Sequence, residues 1–193
     1  FAQSLSSATA IEGGKVLFWP VQLTMDSYKY VLSNSTLGRS FAITLFVVSL
    51  GTLINLIATS SFAYPLSRTE YKGRKILLIM VLITLIFQAP LIPNYLWLKQ
   101  LGLLNNLAVL MIPGAVSAFN FFVMRSFFQQ IPNELIDSGR IDGCGEARIM
   151  WSIVLPLSKP VMATMGLFYA VGHWNSYQAA VFYISKRSLY PLQ

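Results

Sequence analysis

Long apolar runs separated by short polar breaks fill most of this 193-residue chain. Four runs reach the roughly 20 residues that a helix needs to cross about 30 Å of hydrocarbon. They are Phe41–Phe62, Ile76–Leu98, Leu107–Phe128 and Val161–Ile184. Charged residues at helical spacing, the mark of a water-facing helix, are almost absent from them. The pattern predicts an all-α, polytopic transmembrane bundle forming one domain over residues 1–193. Residues 1–39 form an outer loop, with Met25-Asp26-Ser27-Tyr28 capping a short helix.

The longest polar break, Ile131 to Pro160, has its own punctuation. Pro132 suits the start of a short helix, where its missing N–H costs nothing. Glu134 and Asp137 put negative charge near the positive end of that helix. Gly143 and Gly145 end it, because glycine accepts the left-handed cap conformation. Ser138 and Gly139 are small and are expected to be exposed, leaving room for another surface to approach. The segment is expected to be a docking knob.

This segment resembles the EAA loop of the membrane-spanning permeases of binding-protein-dependent ABC importers, in particular the carbohydrate (maltose-type) family. That pattern is Glu-Ala-Ala, three residues, Gly, nine residues, then Ile-x-Leu-Pro. Asp137-Ser138-Gly139 stands for Glu-Ala-Ala, Gly143 falls in place, and Ile153, Leu155 and Pro156 complete it. Ile131-Pro132, Glu134-Leu135, Ile141-Asp142-Gly143 and Pro160 match as well. The Asp and Gly replacements keep charge and small size.

The resemblance implies a MetI-like permease core in which the four runs are spans two to five of a six-span subunit, with the first before Phe1 and the sixth after Gln193. Its implied partners are a second, homologous permease, two ATP-binding cassette subunits, an extracytoplasmic solute-binding protein, a sugar substrate and membrane lipid, in a bacterial plasma membrane. ATP and Mg would be bound by the partner ATPase and no cofactor by this chain. The implied ATPase-coupling residues are Glu134, Leu135, Asp137, Ser138, Gly139, Ile141, Asp142 and Gly143, with Ile136 adding apolar contact.

Composition agrees with a membrane protein: 55% hydrophobic residues, 11% charged, and a mean hydropathy of +0.59. With the docking loop inside, eight Lys and Arg lie on the cytoplasmic side and six outside, a bias carried by the Arg68–Lys75 cluster. The net charge of +7 reads as topology; a nucleic-acid partner would need a contiguous basic face.

Polar residues recur near the middle of the runs: Asn55, Gln88, Asn120, and His173 with Asn175. Hydrocarbon penalises such groups unless they face protein or water. Pro90, Pro93 and Pro113 kink the same region. Each residue alone reads as an interhelical hydrogen bond; together they read as a lined route for a polar solute. His173, Trp174, Asn175, Tyr177 and Gln178 form the densest cluster. There an aromatic face could stack on a sugar ring while amides and hydroxyls pair with its hydroxyls. The segment through Tyr190-Pro191-Leu192-Gln193 resembles importers of oligosaccharides from plant or algal cell-wall polymers; uronic-acid sugars belong to that class, yet the runs offer no mid-span Arg or Lys to pair with them.

Catalytic chemistry is thinly represented. Gly13-Gly14-Lys15-Val16 lacks the first glycine and the hydroxyl residue of a phosphate-binding loop. Cys144 is the lone cysteine and reads as a small packing residue, and His173, the lone histidine, has no companion metal ligand in sequence. Two alternatives stay open: an integral-membrane enzyme with a site around His173, and an ion-coupled secondary transporter. The second would normally carry an acidic residue within a span, and these runs have none.

Overall fold

The computed structural model describes residues 2–7, 13–14, 17–25, 28–29, 33 and 35–192. The predicted cap at Asp26-Ser27 lies outside the described residues. The dominant element is α1 (Ser35–Ser67), 33 residues long. At 1.5 Å per residue it measures about 50 Å, roughly 20 Å more than the hydrocarbon layer. It contains the predicted run 41–62 and begins inside the stretch assigned to the outer loop. Among the described residues it is the one helix long and apolar enough to cross a membrane unaided, with a mean hydropathy of 2.2.

The other three runs are not continuous helices, although the two helices of run 76–98 together are long and apolar enough to form one bent span. Run 76–98 is divided between α2 (Arg74–Ile86) and α3 (Leu91–Gln100), which meet at 120°. Pro90 has no N–H to donate and disfavours helical backbone at the residue before it, so the helix ends at Ile86. Run 107–128 starts as a 3-10 turn at Leu107–Leu110 and becomes helical again only at α4 (Ala118–Gln129). Ser117 opens α4 by accepting from the Asn120 N–H at 3.5 Å. Twelve residues give α4 about 18 Å, too short to cross alone.

The docking segment comprises α5 (Asn133–Ile141) and α6 (Glu146–Leu157). A π turn at Met150–Val154 interrupts α6. Helix α7 (Lys159–Trp174) then leaves at 86° to α6, with Pro160 in its first turn. It stops at Asn175, whose Nδ2 donates to the Val171 carbonyl at 2.9 Å. A short α8 (Tyr177–Tyr183) follows, so run 161–184 is also divided.

Packing centres on α1, flanked by α4 and α7. The larger core joins Leu66 of α1, Phe121, Met124 and Phe128 of α4, Ile136 of α5, Ile149 and Val154 of α6, and Met165 of α7. A second cluster joins Val47, Leu98, Val109, Ala180 and Ile184 at the other end of α1. Helix α2 has no buried residue, and its Ile76, Ile79, Met80, Leu82 and Ile83 face outward, as suits a surface solvated by lipid or covered by protein.

Candidate functional site

At the C-terminal end of α1, α5 stands at the surface. Its C-terminus closes with a Schellman motif: the Cys144 N–H donates to the Gly139 carbonyl at 2.9 Å, and the Gly143 N–H to the Arg140 carbonyl at 3.0 Å. Gly143 takes the left-handed conformation, with φ +77°, while Gly145 does not, with φ −71°. The stop signal is therefore Gly143 alone, and Gly145 precedes the first residue of α6. Glu134, Leu135, Asp137, Ser138, Ile141, Asp142 and Gly143 are all exposed, Ile141 at 86%. Gly139 and Ile136 are not. Gly139 is buried because the surface that approaches it belongs to the same chain: a Cβ there would lie 3.1 Å from Ile153 Cδ1 and 3.2 Å from Ile149 Cγ1. Ile136 is 1% exposed and is core, not docking surface.

A polar clasp fastens this knob to α1. Arg140 reaches Glu70 at 2.9 Å, Asp137 at 3.2 Å and Glu146 at 2.8 Å. The Tyr64 hydroxyl donates to the other oxygen of Glu146 at 2.7 Å. Hydrogen bonds to Glu70 and then Glu146 raise the pKa of Arg140 above its ordinary value. Burial alone would push the Glu146 carboxyl up, but the bonds from Tyr64 and Arg140 outweigh it and hold the carboxyl below its ordinary value. Beside it, Arg68 donates to the Phe128 carbonyl at 2.6 Å and to Asn133 Oδ1 at 3.0 Å. Burial lowers its pKa.

Further along α1 a cavity of about 540 Å³, largely apolar but with several polar side chains on its wall, opens between α1, α4 and α7. Asn55, Asn120 and His173, three of the predicted pathway residues, line it. Asn55 Nδ2 donates to the Gly114 carbonyl at 3.1 Å, leaving Oδ1 to accept from His173 Nε2 at 3.4 Å. Tyr169 adds a second tie. Its hydroxyl accepts from the Ser117 N–H at 3.1 Å and pairs with Thr59 Oγ1 at 2.6 Å. Phe119 and Phe168 supply aromatic faces, and Ser117 and Ser176 further hydroxyls. Among the described residues the wall holds amides, hydroxyls and one imidazole beside its apolar groups, with no Lys, Arg, Asp or Glu. Volumes of 300–1,000 Å³ suit small ligands.

The remaining pathway residues are not brought there. Gln88 is exposed in the non-helical break that Pro90 imposes between α2 and α3. Trp174, Asn175, Tyr177 and Gln178 are exposed outside the cavity wall. At 100° per residue Trp174 cannot share the face of His173, and Asn175 is spent capping α7. Thr59 and Tyr169 were missed by the sequence reading, although Tyr169 stands four residues before His173 and so on its face. Among the described residues, no group of three or more His, Cys, Asp or Glu could hold a metal ion.

Residues 75–190 match the family described as binding-protein-dependent transport system inner membrane component. Protein LplC of Bacillus subtilis (strain 168) is 42% identical over 192 residues, covering 100% of this chain and 65% of its own length. The polygalacturonan/rhamnogalacturonan transport system permease protein YtcP of the same organism is 38% identical over 192 residues, covering 100% of this chain and 67% of its own. The chain thus spans about two thirds of the length of these relatives. A crystal structure of a bacterial ABC transporter involved in the import of the acidic polysaccharide alginate contains a chain that superposes with a TM-score of 0.95 at 34% identity, over 100% of this chain and 69% of that one.

Proposed function

This chain belongs to the family of binding-protein-dependent transport system inner membrane components, and we propose that it is part of the permease of an ATP-driven sugar or oligosaccharide importer. On this reading an external solute-binding protein delivers the sugar, this chain and a homologous permease enclose the route, and two separate ATPase subunits bind ATP with Mg. The bacterial plasma membrane is the setting. The observation that carries the proposal is the placement of a docking knob and a cavity with amide, hydroxyl and imidazole groups on its wall along a single helix, α1. Glu70, just beyond that helix, and Tyr64, within it, are tied to the knob, while Asn55 lines the cavity.

The route is built for hydroxyl recognition. Amide and hydroxyl groups on the cavity wall can donate to and accept from sugar hydroxyls, and Phe119 and Phe168 offer faces for ring carbons. Relatives named for polygalacturonan and rhamnogalacturonan and for melibiose, raffinose and stachyose support a saccharide cargo. A uronic-acid cargo would need its carboxylates met by a cation from elsewhere, since the described residues of this wall include none. The exposed face of α5, with Leu135, Ser138, Ile141 and Asp142, would seat in the ATPase. Closure of the ATPase pair then shifts the helices between two states, driven by the difference in ATP affinity between them.

The test is co-purification of the full-length permease pair with its ATPase, with and without Gly143→Tyr. Tyrosine meets open space there but a left-handed backbone, so the knob is remodelled while the spans stay intact. The expected result is membrane insertion with loss of the ATPase. An equally strong complex in the variant moves the docking contact elsewhere, and no complex with the unaltered protein overturns the importer reading.

A further inference from the structure

Helix α5 has only nine residues, too few to hold its direction unaided. Its apolar footing, Ile136 and Gly139, rests in part on Ile149 and Ile153 of α6. Polar contacts tie α5 to the end of α1 at two points: Arg68 donates to Asn133 Oδ1 at 3.0 Å, and a larger group converges on Arg140. Its Nε donates to Glu146 at 2.8 Å, Nη1 donates to both Glu70 and Asp137, and Nη2 pairs with Glu70. Asp137 lies on α5, Glu70 just beyond α1, and Glu146 on α6, itself bonded to Tyr64 of α1. The planar guanidinium is suited to this, because it presents five donors in a fixed fork.

We infer that Arg140 is the positioning residue that makes α5 and the cytoplasmic end of α1 move as one body, so that displacement of the docking helix is delivered to the cavity wall. The inference rests on the importer reading above. Stability is not the reason for the cluster. The three carboxylates keep more than half of their side-chain surface in solvent, and exposed ion pairs add little to folding. Their value is geometric: three carboxylates from three segments share one cation, and without it they repel one another. Tyr64 then passes the constraint into a helix whose Thr59 and Asn55, five and nine residues earlier, hold Tyr169 and His173.

The experiment uses the complete transporter in proteoliposomes, with full-length chain, partner permease, ATPase and binding protein. ATP hydrolysis and uptake of labelled oligogalacturonides, alginate oligosaccharides or raffinose are measured together. Arg140→Gln removes the hub, and Tyr64→Phe cuts the far end of the clasp without touching the docking surface. The expected result is assembled complexes that still hydrolyse ATP, with solute moved per ATP reduced roughly fivefold or more. A merely structural role would lower both activities and leave their ratio unchanged. Wild-type ratios in both variants overturn the inference while the importer reading stands. If Arg140→Gln fails to assemble, Tyr64→Phe decides, and a wild-type ratio there overturns it. An unaltered complex with no ATP-dependent uptake overturns the importer reading and this inference with it.

Discussion

Gly51 lies against His173, and replacing it by alanine tests how the cavity wall is held. A Cβ at position 51 would stand 2.6 Å from His173 Nε2, 2.8 Å from Cε1 and 2.9 Å from Cδ2. Ordinary carbon contacts lie near 3.5–4.0 Å, so the imidazole has to withdraw by about 1 Å. His173 is 9% exposed, so its ring can withdraw only toward the cavity that it lines, away from its packing against α1. Its 3.4 Å contact with Asn55 Oδ1 already sits at the limit of a hydrogen bond and is lost on withdrawal. Overpacking of this kind costs about 1–3 kcal/mol. The assay is a double-mutant cycle on full-length protein in detergent, followed by reversible denaturation. Gly51→Ala alone is expected to destabilise by that amount, and His173→Ala to create the space that the added methyl needs. The pair should therefore cost less than the sum of the two single changes by about 0.5–3 kcal/mol. Additive costs, or no cost for Gly51→Ala, refute the close-packing account.

Tyr169→Phe removes the hydroxyl that meets both Thr59 and the Ser117 N–H. It should cost about 1–3 kcal/mol in the same denaturation assay, because buried polar groups lose their partners; Thr59→Val made in that background should then be nearly free. Acidification should loosen the clasp. A carboxyl whose folded pKa is depressed, as in Glu146, contributes stability that is present above its unfolded pKa and lost as pH falls through the folded value. Amide-exchange protection of Asn133–Ile141, corrected for intrinsic rates, should hold steady near neutrality and fall below about pH 4. Glu146→Gln should flatten that fall.

The docking segment was legible because its signals are local. Pro132, Gly143 and Pro160 each fix backbone by sterics that act within a turn, and the structure uses them where they stand. The membrane runs were not legible in the same way. An apolar window reports affinity for lipid, not continuity of helix, so Pro90 and the Pro113-Gly114 turn could be seen without showing that they divide a span. The cavity lay between these cases. Asn55, Asn120 and His173 stand out as costly polar groups in apolar runs. Thr59 and Tyr169 do not, since a Thr hydroxyl can bond its own helix backbone and a Tyr hydroxyl can reach an interface, and only tertiary packing brings them within 2.6 Å. Gly139 was misjudged because a small residue invites a neighbour without saying whose.

The ties of α1 to the cavity wall also set a timetable for synthesis. Thr59 waits for a partner 110 residues later, and Asn55 for one 118 residues later. Ribosomes add about 5–20 residues per second, so Asn55 spends roughly 6–24 s in the membrane before His173 exists. Through the first half of that interval the Gly114 carbonyl is not yet there to meet the Asn55 amide. Meanwhile α1 is apolar enough to stay inserted but carries an amide and a hydroxyl without their final partners at depth, where unpaired polar groups are costly. The newborn helix therefore needs a temporary polar neighbour, whether water in the insertion site or another protein, until Gly114 and then α7 arrive to replace it.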